Sequence, residues 1–221
     1  MILIIVVVVI FALFLGLVVF LRIASKNIDY DGRDERESSK FGEAGEKYVA
    51  DELNEIVKKY GGYLYNNFCF EDEKGFSSEI DHILITNGGV FVIETKTNKG
   101  KIIGNEDDKF WTCIKKDYQD DKQLKNPIIQ NQGHINHLQR MLKPNPPKLI
   151  SMVVFPIAEI SSINSPIVHD VGSALSFITD LTINSKKSCD FAKNINERIK
   201  KIEDNYSISK KRHLQNIHDR F

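Results

Sequence analysis

The chain has 221 residues, 27% of them charged, and its 30 Lys and Arg balance 30 Asp and Glu to a formal net charge of zero. That neutrality gives no pointer to a nucleic-acid partner. Cys69, Cys113 and Cys189 stand at unrelated spacings, which excludes a disulfide framework and a cysteine-built zinc site. The balance is uneven, because from Ser185 onward ten Lys and Arg face five Asp and Glu, a local excess of +5.

Residues 1–21 carry no charged side chain and are mostly Val, Ile, Leu and Phe. At ~1.5 Å per residue such a helix is ~30 Å long, enough to cross a hydrocarbon core. A cleaved signal peptide would need a basic start and a small-residue cleavage site, and a core helix rarely stays apolar all round. One transmembrane helix is therefore expected over 1–22. Arg22 and Lys26 follow it, so the positive-inside rule places the body in the cytoplasm. Residues 23–40 mix charges with Ser and Gly and read as a juxtamembrane linker. One compact domain over 41–184 and a basic helical tail over 185–221 complete the expected organisation.

The domain opens with a helix over 42–60, stopped by Gly61-Gly62, with Val49, Leu53, Ile56, Val57 and Tyr60 forming one stripe. At ~100° per residue Glu46 projects within that stripe, while Glu43 lies at its edge. First-turn acids also simply favour the helix dipole. A strand over 63–70 and a polar loop over 71–78 follow. Next comes a hairpin, with strands over 79–86 and 90–97 around Asn87-Gly88-Gly89, residues that can supply the positive φ of tight turns. Another strand is expected over 109–114, then a charged loop or short helix over 117–125. Asn126 can cap a helix with Pro127 at its first position, running to Leu142 with Ile128, Ile135, Leu138 and Leu142 on its apolar face. Strands over 149–155 and 166–169 and a helix over 173–181 close the domain. The tail reads as two helical segments, the first striped by Phe191, Ile195, Ile199 and Ile202. Its basic run fits a solvated face, contacts to phosphates, or contacts to anionic headgroups.

The hairpin carries the chemistry. Val92, Glu94 and Lys96 share one strand face and Phe91, Ile93 and Thr95 the other. A carboxylate and an ammonium at the end of an apolar strand are expensive unless paired or solvated. The antiparallel return can bring Asp81 near Glu94, which makes a small acidic site beside Lys96. Glu94 and Lys96 alone would fit an ordinary exposed pair.

Phe41-Gly42-Glu43-Ala44-Gly45-Glu46, Glu79-Ile80-Asp81-His82, Glu94-Thr95-Lys96, Gly104, Trp111 and Asn126-Pro127-Ile128-Ile129-Gln130 occur in that order over more than half of the chain. This ordered set resembles the nuclease-related domain (NERD) family, within the PD-(D/E)xK nuclease superfamily. Ile80 stands where the superfamily signature has proline. The resemblance implies an α/β fold, a mixed central β-sheet flanked by helices with a restriction-endonuclease-like core. It also implies a metal-dependent nuclease acting on DNA or RNA, with a helix glutamate, here Glu46, at the metal site.

Phosphodiester hydrolysis needs charge neutralisation and an activated water, and a divalent metal supplies both. Mg²⁺ (or Mn²⁺) takes oxygen ligands, so Asp81 and Glu94 suit it, with the Thr95 carbonyl as a third. Lys96 is expected to act on the water or the phosphate. The family's Asn-Pro-x-x-Gln pattern turns Gln130 toward the site or the nucleic-acid backbone, although its side of the helix, shared with His134 and His137, also fits a solvated face. His134-x-x-His137 lacks the further ligands that zinc needs, and His82 reads as a packing residue. A membrane-tethered binding or scaffold module that keeps the fold with little activity is the alternative reading.

Overall fold

The computed structural model describes residues 39–115, 121–188 and 190–219. The predicted membrane span over 1–22 lies outside the described residues, as does most of the linker. Among the described residues no helix is long and apolar enough to cross a membrane. The chain divides into two units, Met1–Glu43 and Ala44–Phe221. Of the first, only residues 39–43 are described, and they are helical. The second carries the sheet and the site.

Five strands make the central sheet, in the order β1 (Tyr63–Glu71), β2 (Ser77–Thr86), β3 (Gly89–Thr95), β7 (Leu149–Val154), β8 (Val168–His169). The first three pair antiparallel and the last three parallel, so the sheet is mixed. Helices cover both faces. The helix over 39–60 (α1) and α3 (Val171–Ile183) pack Val49, Leu53, Ile56, Ala174 and Ile178 on Leu84, Phe91 and Ile93. On the other face, α2 (Pro127–Met141) and α4 (Phe191–Tyr206) bring Ile135, Leu138, Ile195 and Ile199 onto Ile83, Ile85, Val90 and Val92. β3 is buried at all seven positions, as a strand covered on both sides must be. The chain is thus a mixed α/β fold with a helix-flanked central sheet.

Asn131 holds α2 to this sheet. It falls within the apolar stripe of Ile128, Ile135 and Leu138, is fully buried, and donates from Nδ2 to Val92 O at 2.9 Å, Met152 O at 3.1 Å and Ser151 Oγ at 2.9 Å. Asn131→Leu keeps the size but leaves buried carbonyls unsatisfied, so a loss of about 2–3 kcal/mol is expected, read as a lower urea midpoint.

Three elements depart from the sequence-based expectations. Lys122–Lys125 is a strand (β6), not a loop or short helix, because β5 (Phe110–Ile114) offers it an antiparallel partner in the register Trp111↔Leu124. With β4 (Lys101–Ile103) these form a second, three-stranded sheet that shields Val153 and Phe155 through Ile102, Trp111 and Cys113. The hairpin turn does not use positive φ at Asn87, Gly88 or Gly89. Close approach is what calls for glycine at Gly88 instead. A Cβ on Gly88 would lie 2.7 Å from Thr182 N at the end of α3, and one on Gly89 would lie 2.7 Å from the Ile150 side chain. Finally, the chain after 184 is packed into the same body. Ala192, Ile195, Ile199 and Ile202 are buried, and Ile208 N donates to Cys69 O at the β1 edge.

Candidate active site

β2 and β3 part company at one end of the hairpin. Their last paired residues are His82 and Ile93, so the next step of the register sets Asp81 opposite Glu94. Both side chains belong to the α2 face, with Ile83 and Val92. Where the ladder stops, a side chain replaces it: Asp81 Oδ2 accepts the Thr95 N–H at 2.8 Å. That bond fixes one carboxylate oxygen of β2 to the backbone of β3.

Glu94 is only 2% exposed. Its Oε1 takes the Lys96 ammonium at 2.7 Å, and Lys96 Nζ donates in turn to Gln130 Oε1 at 3.0 Å. Burial, then the Glu94 charge and further off that of Glu46, raise Asp81 well above the usual carboxylate range. Burial also raises Glu94, against the pull of Lys96. Two acids that resist ionisation side by side are held together by the fold, with the Lys96 ammonium in contact with Glu94. Among the described residues, no three His, Cys, Asp or Glu side chains gather into a group that could hold a metal by themselves.

α2 is aimed by its cap. Asn126 Oδ1 accepts from Ile128 N at 2.9 Å, while Nδ2 donates to Glu106 O at 2.8 Å and Asp108 O at 2.7 Å. The same residue therefore starts the helix and ties it to the β4–β5 turn. That turn is itself closed by Trp111 Nε1 donating to Asn105 O at 2.8 Å. Gly104 has no room for a Cβ, which would sit 2.2 Å from the Trp111 ring. One and two turns beyond the cap, Gln130 and His134 face the cleft.

Glu46 arrives from the opposite face of the sheet. Gly45 makes this possible: a Cβ there would fall 2.1 Å from Thr97 Oγ1, so only glycine lets α1 lie this close to the chain leaving β3. Glu46 is half-buried and its charge is felt at Asp81 and at Lys210, whereas Glu43 is exposed.

The structure thus brings Glu46, Asp81, Glu94, Lys96 and Gln130 to one end of the sheet. Thr95 contributes its N–H to Asp81, and its Oγ1 lies 3.2 Å from His82 Nε2. Sequence reasoning did not place three neighbours. His134 Nε2 lies 3.6 Å from Glu94 Oε2, too far for a hydrogen bond, and burial holds its pKa down at about 4. The imidazole is therefore neutral near pH 7, and the contact is not an ion pair. Glu79 lines the cleft two residues before Asp81. Lys210, from α5 (Lys210–His218), closes on Glu79 at 2.5 Å across more than a hundred residues of sequence. Nothing local signals that last contact. His134 and Glu79 were open to recognition, since each lies at helical or strand spacing from a site residue.

His82 is a packing residue with a polar duty. It is 1% exposed, and Asn66 Oδ1, which only accepts, lies 2.8 Å from its Nδ1. Nδ1 therefore carries the hydrogen and Nε2 accepts from the Thr95 hydroxyl. Burial lowers the His82 pKa to about 4 from an ordinary 6.5. The unfolded chain takes up this proton near pH 6.5 and the folded chain only near 4. Stability from neutral His82 is accordingly lost as pH falls through that window. The stability difference between wild type and His82→Asn should shrink by about 1 kcal/mol per pH unit over that range, measured by urea unfolding at a series of pH values.

A model of the nuclease-related domain family matches residues 41–156. Among curated proteins, an uncharacterized protein of Bacillus anthracis is 33% identical over 141 residues, which make up 63% of this chain and 63% of the relative. The match therefore spans less than two thirds of that protein. No solved structure matches.

Proposed function

This chain belongs to the nuclease-related domain (NERD) family, and we propose that it hydrolyses nucleic-acid phosphodiester bonds with the help of a divalent metal held at Asp81 and Glu94. The observation that carries this reading is the juxtaposition of the buried Glu94 and the half-buried Asp81 with Lys96, whose ammonium bridges Glu94 at 2.7 Å and Gln130 at 3.0 Å. A structural ion pair would need one acid. The second raises the free energy of the folded chain and calls for a cation.

Two carboxylates suit Mg²⁺ or Mn²⁺, which take one or two protein oxygens and complete their shell with water and phosphate. The Thr95 carbonyl is the third donor in this reading. When bound, such an ion neutralises phosphate charge and makes a water acidic enough to attack. The chain's own groups do the rest. The Thr95 N–H keeps Asp81 oriented, and Gln130 holds Lys96 against Glu94, so the ammonium is already placed where phosphate charge would develop. Glu46 adds negative potential that favours a cation over a second ammonium. In the same reading the hairpin and its flanking helices form a PD-(D/E)xK core. The apolar residues 1–21, followed by Arg22 and Lys26, anchor it in a membrane with the domain on the cytoplasmic side.

The alternative, a tethered binding module with little catalysis, is favoured by one observation: among the described residues no three His, Cys, Asp or Glu side chains form a group that could hold a metal by themselves. Metal titration of the full chain in detergent, run beside a cleavage assay on DNA and RNA, separates the two. An unfolding temperature indifferent to Mg²⁺ and Mn²⁺, with no cleavage, would leave only the binding module.

A further inference from the structure

We propose that the cleft at this site takes unpaired nucleotides, so that the chain engages single-stranded nucleic acid, DNA or RNA, in preference to the intact duplex. The inference rests on the nuclease reading of the same site and names its substrate class.

The cleft holds about 680 Å³. That lies within the ~300–1,000 Å³ of small-molecule sites, a size for one or two nucleotides rather than a double helix. Its floor is acidic, with Asp81 and Glu79. Its walls are not. Phe110 from β5, Ile129 from α2, and Leu214 and Ile217 from α5 line it while standing 45%, 51%, 55% and 44% exposed. These are four of the eleven large apolar side chains exposed among the described residues, and they converge from three separate elements. A surface that collects exposed apolar groups around a polar floor is built for a ligand with a flat apolar body.

The rim supplies the charge that such a ligand would need to match. Lys109 and Lys125 stand at the same cleft, and Lys109 Nζ lies 5.5 Å from the centre of the Phe110 ring. A ring beside an ammonium is the arrangement by which a base lies on an aromatic face while its phosphate meets a cation. Duplex bases are stacked away inside the helix and offer no face to Phe110 or Leu214. α5 adds a further wall. Lys210 at its start closes on Glu79 at 2.5 Å, and Leu214 and Ile217 line the cleft together with Asp81.

The test uses the full chain in detergent micelles and a fluorescent oligonucleotide, single-stranded or annealed to its complement, with binding read by anisotropy in EDTA so that no metal-dependent turnover intervenes. Single strand should bind about tenfold tighter than duplex. Phe110→Ser and Leu214→Ser, both at exposed positions, should each weaken single-strand binding by about five- to tenfold, the first by a lost stacking contact and the second by lost apolar contact. Duplex binding and the response of the unfolding temperature to Mg²⁺ should stay at wild-type values in both variants. Equal or tighter binding of duplex would overturn the inference, and so would variants that bind single strand as well as wild type does. The metal response is scored separately. A chain that responds to Mg²⁺ but shows no strand preference loses this inference and keeps the hydrolytic reading. One that prefers single strand and ignores metal keeps the cleft and loses hydrolysis.

Discussion

Glu94→Gln is expected to abolish both nucleic-acid cleavage and stabilisation by Mg²⁺, while the metal-free chain stays as stable as wild type or becomes slightly more so. The amide preserves the size of a side chain that is 2% exposed and can still accept from Lys96, so no cavity opens. What disappears is one of two adjacent negative charges, and with it part of the repulsion that raises Asp81. In wild type, metal at one hundred times its dissociation constant adds ~2.7 kcal/mol, or about 5–10 °C in unfolding temperature for a chain of this size. The variant should show none of that shift. Losing several kcal/mol of transition-state stabilisation corresponds to a fall in turnover of about a thousandfold or more.

The pH dependence follows from the same two acids. Their folded pKa values lie above the unfolded ones, so their contribution to stability is present at low pH and is lost as pH rises through the ordinary carboxylate range toward the raised values. Metal binding requires the ionised forms, so the Mg²⁺ shift should grow with pH over that window and flatten in Glu94→Gln. Lys96→Met separates binding from chemistry. It removes the ammonium that competes for Glu94 Oε1, so Mg²⁺ should bind at least as tightly, yet turnover should fall because the group acting on phosphate or water is gone. The metal-free variant should lose about 1–3 kcal/mol, since a buried carboxylate is left without its partner. Calorimetric titration of wild type and both variants reads the contrast directly. Equal Mg²⁺ affinity in wild type and Glu94→Gln would remove the metal site from Asp81 and Glu94.

Ending the chain at Asn184 should unfold the domain rather than trim a tail. Ile195, Ile199 and Ile202 pack into the core formed by Phe68, Phe70, Ile83 and Ile85, and each is at most 6% exposed. Burying three such side chains contributes roughly 5–9 kcal/mol, comparable to the whole stability of a typical domain, about 5–15 kcal/mol. Arg198 is bound to the carbonyls of Leu142, Pro144 and Asn145, and Arg212 to Glu71 at 2.9 Å, so part of the basic excess after 185 is committed to the body. Circular dichroism and hydrogen exchange of the shortened chain should show lost tertiary structure. A cooperative transition at the wild-type temperature would instead make α4 and α5 an independent appendage. Ile199→Asp serves as the point-mutation counterpart, because it sets an unpaired charge at a position with no exposure.

What the sequence determined by itself was the local order around the site. A two-residue period places Asp81 and Glu94 at the same end of a hairpin, and Asn126-Pro127 starts a helix three residues before Gln130. The stripe of Val49, Leu53 and Ile56 turns α1 toward the sheet and leaves Glu46 among its inner positions. These features depend on neighbours a few residues apart, where side-chain alternation and capping chemistry act. Tertiary structure decided the rest, because it decides which surfaces meet. Lys122–Lys125 has a single apolar residue, Leu124, and becomes a strand only because β5 has an edge to offer. Gly88 looks like a turn residue, yet the backbone at the end of α3 is what requires it to lack a side chain. The Thr95 N–H reaches Asp81 because the ladder ends there, and Lys210 reaches Glu79 because burying the stripe of α4 carries α5 to the cleft. No pattern of local period encodes those last contacts, since they form between faces chosen by burial of apolar surface over the whole domain.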